Sequence, residues 1–234
     1  PVQLRVARDV YYPTTDTDRY VYFRLRDDVE VLGGYAGYGA PDPDEHDGNP
    51  LTNGTFLSGD IGAVGDSSDN SYVVVLSSEN DETAKLNGFT IRFASDHALY
   101  CYQSSPMLNN LTFTGNRGGD GACILNEDQS SPHIANCHFL FNASSGSGGA
   151  IANVSDSNPL IRFCEFTGNE AGTGGAVSSS GGSHPNFYAC TFSRNRAAWF
   201  GGAVSNDNEC PLTARNCTFE ANIVQNWNGG AVWC

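Results

Sequence analysis

The sequence predicts an all-β fold, a right-handed parallel β-helix (solenoid) of about 26 residues per rung, on three observations. A motif close to Pro-x-apolar-x-x-Cys-x-Phe-x-x-Asn recurs from residue 106 onward as SPMLNNLTFTGN, SPHIANCHFLFN, NPLIRFCEFTGN, HPNFYACTFSRN and PLTARNCTFEAN. Each copy is followed by a Gly-rich stretch and a segment resembling Gly-Gly-Ala-(Val or Ile). The composition agrees, because 27 Gly and only 16% charged residues suit a turn-rich β chain better than a helical one.

The copies align in columns. Leu111, Cys137, Cys164, Cys190 and Cys217 form one, at spacings of 26, 27, 26 and 27 residues. Phe113, Phe139, Phe166, Phe192 and Phe219 form a second, and Asn116, Asn142, Asn169, Asn195 and Asn222 a third. A fourth is Ala122, Ala150, Ala176, Ala203 and Ala231, followed by the apolar Cys123, Ile151, Val177, Val204 and Val232. Near-constant spacing over several columns is the mark of a repeat architecture. Cys and Phe two residues apart face the same way along a strand, so Thr112, His138, Glu165, Thr191 and Thr218 between them should form an outward file. Strands this short cannot bury both edges within one rung, so each must pair with the next rung at about 4.8 Å. The asparagines are expected in turns, their amides bonding the rungs above and below.

Upstream, AKLNGFTIRFASDHALY reads as a shorter rung with Phe89 and Ile91 in the Cys and Phe places and Ala98-Leu99 in the Ala-Val place. Residues 85–234 are therefore expected as regular repeats, and 1–84 as irregular opening rungs of the same continuous domain. Strand-like runs there are Tyr20 to Leu25, Val29 to Gly33 and Tyr72 to Leu76. The chain enters directly in a strand and stops in mid-rung without a recognisable cap, so its ends are expected to meet neighbouring copies or other domains of a longer chain. The net charge of −14, with Lys85 the single lysine, disfavours nucleic acid as a partner. No segment approaches the roughly 20 apolar residues of a transmembrane helix.

These repeats resemble the right-handed β-helix proteins that carry polymorphic outer membrane protein repeats, whose mark is a Gly-Gly-Ala-Ile type segment and a Phe-x-x-Asn segment in each rung. The resemblance covers residues 106–234. The stretch FRLRDDVEVLGGYAGYGAPDPDEHDG, with GTFLSGDIG and DNSYVVV beyond it, is similar to the opening of such proteins in planctomycetes and related bacteria. It implies a secreted or cell-surface location and leaves activity open, since this fold hosts many functions.

Several residues could carry chemistry. The acidic stretch APDPDEHDGN places Asp42, Asp44, Glu45 and Asp47 close together, enough oxygen ligands for Ca²⁺ if the loop curls, against the plainer reading of a solvated turn. SGDIGAVGDSSDN, with Asp60, Asp66, Asp69 and Asn70, poses the same choice. No other cofactor is expected. The cysteine column reads as buried thiols, because a straight ladder does not converge tetrahedrally on a metal. Cys101 and Cys234 are expected in turns, and a Cys210 to Cys234 bridge is conceivable between adjacent rungs. The histidines are expected at the surface.

The leading expectation is a non-catalytic extracellular or cell-surface module, structural or adhesive, that stacks end to end or binds carbohydrate through Tyr35, Tyr38, Trp199 and Trp227. The alternative is a lyase or hydrolase acting on an acidic polysaccharide. For a lyase, Arg162 and Arg215 share a column two rungs apart; for a hydrolase, Glu165 with Glu220 is a loose carboxylate pair. Ice binding by the Thr-rich file is a third, interrupted by His138 and Glu165.

Overall fold

The computed structural model describes residues 2–207, 210–227 and 230–234. Among the described residues all pairing between strands is parallel, and the strands fall into three eight-stranded sheets and one five-stranded sheet. In a regular rung the chain visits them in turn, as in Met107–Asn109, Thr112–Thr114, Arg117–Gly118 and Ile124–Glu127. Each strand pairs with its counterpart one rung on, which makes a solenoid of eight rungs. The fold is the expected right-handed parallel β-helix.

The first 84 residues supply the two opening rungs. Val2–Ala7 pairs with Val29–Tyr35, and that strand pairs with Lys85–Asn87. The second rung is wide because polar loops separate Val29–Tyr35, Phe56–Ser58 and Val73–Ser78. The run from Tyr20 yields only the short strand Phe23–Arg24, since Arg19 turns back to donate to the Asn70 carbonyl at 2.7 Å.

The core is the set of columns. Phe113, Phe139, Phe166, Phe192 and Phe219 stack ring on ring at 4.9, 4.6, 4.7 and 4.8 Å, near the rung spacing. Burying each such ring is worth about 2–3 kcal/mol. Beside them Cys137, Cys164 and Cys190 are buried, and each thiol reaches the carbonyl two residues back, at 3.2 Å for Ala135 and Arg162. Burial pushes the Cys164 thiol well up, and contact with Cys164 together with burial does the same for Cys190. The Cys164 and Cys190 sulfurs therefore remain protonated and act as donors.

Several expectations need correction. The first Ala-Val copy is displaced by one residue: Ile124, not Cys123, pairs with Leu99 and Ile151, so Cys123 takes the Ala place. The pleat sets the register, and the branched side chain fills the wide position. Cys101 lies in the strand His97–Tyr102, fully buried, because its place in the rung is an inward one between Ser77 and Asn126. His97 is 8% exposed rather than at the surface, with Nδ1 3.3 Å from the Gly121 carbonyl. The file Thr112, His138, Glu165, Thr191, Thr218 is in register as expected, but Thr112 is buried at 3% exposure. Cys210 is buried, Cys234 is exposed, and both are free thiols, so the conceivable bridge is not formed.

Candidate functional site

The asparagine column shows how chemistry-bearing side chains are used here. Asn116, Asn142, Asn169 and Asn195 are buried. The Nδ2 of each donates to Oδ1 of the next at 2.9–3.1 Å, and the Asn142, Asn169 and Asn195 amides also reach the Phe113, Phe139 and Phe166 carbonyls of the preceding rung. Each carboxamide thus ties three rungs, and none is free for a ligand.

Two further buried ladders escaped the sequence reading. Backbone amides of Ser104, Ser130 and Ser157 donate to the hydroxyl oxygens of Ser130, Ser157 and Ser183 at 3.1–3.2 Å. Their signal is Ser-x-Pro at the first four repeat boundaries, one residue before the motif begins. Asn126, Asn153 and Ser179 form the other, linked at 2.8 and 3.1 Å. Its signal is a small polar residue two places after each Ile or Val of the apolar column, the spacing that returns a strand to its inward face.

On the outer face, Arg162, Tyr188 and Arg215 are in register on consecutive rungs. Their neighbours Ile161 and Phe187 point inward and are buried, so the three side chains project outward. They line a shallow depression with Leu160, Phe163 and Asn186, where Phe163 meets Tyr188 edge to face at 5.7 Å. The guanidinium groups stand two rungs, roughly 10 Å, apart on either side of the phenol. Neither forms an ion pair among the described residues.

The carboxylates do not pair. Glu165 is in register with His138 and Thr191, whereas Glu220 is in register with Ser193 and hence Thr167. Two rungs and two residues of offset put their backbones roughly 12 Å apart. Glu165 instead faces His138 Nδ1 at 3.2 Å and accepts from the Thr167 hydroxyl at 2.9 Å. The hydroxyl of Tyr100 donates to Glu127 in a short bond; burial first, then this bond, pushes the Tyr100 phenol up. A phenol held protonated in this way is no base near neutrality.

The carboxylates of the acidic loop are engaged separately, although the loop closes on itself through an antiparallel bridge between Tyr35 and His46. Asp44 binds Arg5 at 2.8 Å, Glu45 lies 3.6 Å from Arg8, Asp42 accepts from the Asp44 amide, and Asp47 accepts from the Asn49 amide and Thr52 hydroxyl. Those two bonds, the Asn49 amide first, hold the Asp47 carboxyl below the usual range. In the second acidic loop Asp60 accepts from the Gly65 amide, Asp66 from Ser68, and Asp69 from the Ala63 amide. Among the described residues no three His, Cys, Asp or Glu side chains converge as metal ligands.

The aromatic candidates are scattered. Tyr35 rests on His46 at 4.5 Å, under Arg5, while Tyr38 stands free in its loop. Trp199 and Trp227 are exposed at the far end of the solenoid, Trp227 edge-on to Phe200 at 5.5 Å.

A family model described as the right-handed beta helix region matches residues 73–233. The chain belongs to the right-handed β-helix family. This β-helix finds no match among curated proteins or among solved structures. Among its described residues no helix is long and apolar enough to cross a membrane.

Proposed function

We propose that this β-helix is a non-catalytic structural or adhesive module of a secreted or cell-surface protein, of the kind that carries polymorphic outer membrane protein repeats. One observation carries the reading: the most regular polar columns, of Asn and Ser, are buried in rung-to-rung bonds and serve cohesion. An apolar hollow at the first rung, lined by Leu4, Val6, Tyr11, Phe23, Leu25 and Leu86, is where another copy or a further domain would continue the stack. The net charge of −14 argues against nucleic acid as a partner. Electron microscopy of the purified chain tests the assembly. Filaments whose period matches one chain's stack height are expected, and discrete monomers at every concentration would remove the end-to-end element.

The Arg162–Tyr188–Arg215 face favours a second reading, a lyase acting on an acidic polysaccharide, in which the guanidinium groups neutralise uronate carboxylates. Ultraviolet absorbance from unsaturated uronate products decides between the two. A rise that is lost in Arg162→Ala and Arg215→Ala establishes the enzyme; a flat trace across pectin, alginate and hyaluronan leaves the module.

A further inference from the structure

Six successive rungs leave the second sheet through a corner residue with positive φ, and these corners are in register: Phe93 (61°), Gly115 (64°), Phe141 (55°), Gly168 (66°), Arg194 (54°) and Ala221 (52°). Glycine takes this conformation without strain, and a bulky aromatic residue is the least suited to it. Yet the chain places phenylalanine at alternate corners and leaves both rings in solvent, Phe93 at 37% exposure and Phe141 at 68%. Strain and exposure are both unfavourable to folding, and their coincidence at a repeated position points to binding.

The surroundings fit one ligand chemistry. The Phe93 ring occupies the space a side chain at Gly115 would fill, 3.1 Å from an ideal Cβ there, and the Phe141 ring does the same over Gly168 at 2.7 Å. The glycines let each ring lie along the solenoid axis. Their separation of two rungs, about 10 Å, spans two pyranose rings of an extended chain. Beside Phe93 lie Ser67, Asn70, Ser95, Arg117 and Asp60, lining adjoining depressions. Asn70 is 6% exposed, and its side-chain oxygen is buried without a hydrogen-bond partner. The Arg92 guanidinium backs the Phe93 ring at 5.1 Å.

We propose that this edge binds a neutral, extended β-1,4-linked glycan parallel to the solenoid axis. Alternate sugar faces stack on Phe93 and Phe141, and hydroxyl groups at one end bond to Asp60, Ser67 and Asn70. The ligand is neutral because a chain of net charge −14 repels a polyanion. The proposal rests on the adhesive reading above and supplies its ligand, at a site other than Tyr35, Tyr38, Trp199 and Trp227.

Calorimetric titration with cellohexaose and with chitohexaose tests it, with maltohexaose, a curved α-linked chain, as the contrast. At least one β-linked hexaose should bind the full chain and maltohexaose should not. Phe141→Asn should weaken binding roughly tenfold, and Phe93→Asn with Phe141→Asn should abolish it. Asparagine accepts positive φ, so the double variant should melt no lower than the parent chain. Rings that merely shield the next turn would instead make it melt lower. No binding of either β-linked hexaose, equal binding of maltohexaose, or unchanged affinity in the double variant overturns the proposal. Filaments that persist without hexaose binding retain the structural reading, whereas hexaose cleavage overturns that reading and leaves the site.

Discussion

Asn169 concentrates the logic of the fold in one side chain. Its Oδ1 receives both the backbone amide and the Nδ2 of Asn142, and its own Nδ2 donates to Asn195 and to the Phe139 carbonyl. Asn169→Ala would strand those partners in a dry interior, where each orphaned group costs about 1–3 kcal/mol. The expected loss is about 4 kcal/mol, read as a lower urea midpoint. A loss under about 1 kcal/mol would show that water enters and replaces the amide. Phe166→Ala removes a ring held between Phe139 and Phe192 and should cost about 3–5 kcal/mol, through lost burial and the void left behind.

At the scale of the element, the spacing of Cys, Phe and Asn made the inner face of the second sheet legible, because period-two alternation and a constant repeat specify one register. The displaced Ala-Val copy at Cys123 and Ile124 shows the limit of that signal. A Gly-Ala dipeptide matched by letter, whereas the chain matched by volume. The serine ladder lay outside the motif as framed, and the Phe93 and Phe141 corners were invisible because φ is not written in residue type. Nothing in their sequence distinguishes a strained Phe from any other surface Phe. The loops follow a different physics, since their carboxylates accept from nearby backbone amides and hydroxyls. Asp47 is held down by the Asn49 amide and then Thr52, Asp66 by Ser68 and Asp81 by Thr83. A carboxyl lowered in the folded state adds stability above its unfolded value of 3.8, lost as pH falls through the folded one. Acid should therefore loosen the loops while the Asn and Phe columns, which do not titrate there, hold. Hydrogen exchange at pH 3, a little below that value, should show faster amides at 42–52 and 60–70 with protected strands. Uniform loss of protection would contradict this division.

Across the whole molecule, the thiol column couples cohesion to pH at the other extreme. Cys164 and Cys190 stand in one file, Cys101 and Cys123 lie elsewhere in the same core, and all four are raised above the usual thiol value of 9.0. A group raised in the folded state contributes fully below its unfolded value, and that contribution declines as pH rises above it, because only the unfolded chain then releases the protons. Folding stability should be level through neutrality and fall above pH 9.0. A solenoid melts by losing contacts between neighbouring rungs, so thiols spread from Cys101 to Cys190 weaken the stack along much of its length. Replacing Cys164 and Cys190 together by alanine lowers stability at pH 7 through lost volume, yet should flatten the alkaline decline measured by urea titration at a series of pH values. If the variant keeps the full slope, ionisation elsewhere governs the alkaline limb, and the file of sulfurs contributes packing alone.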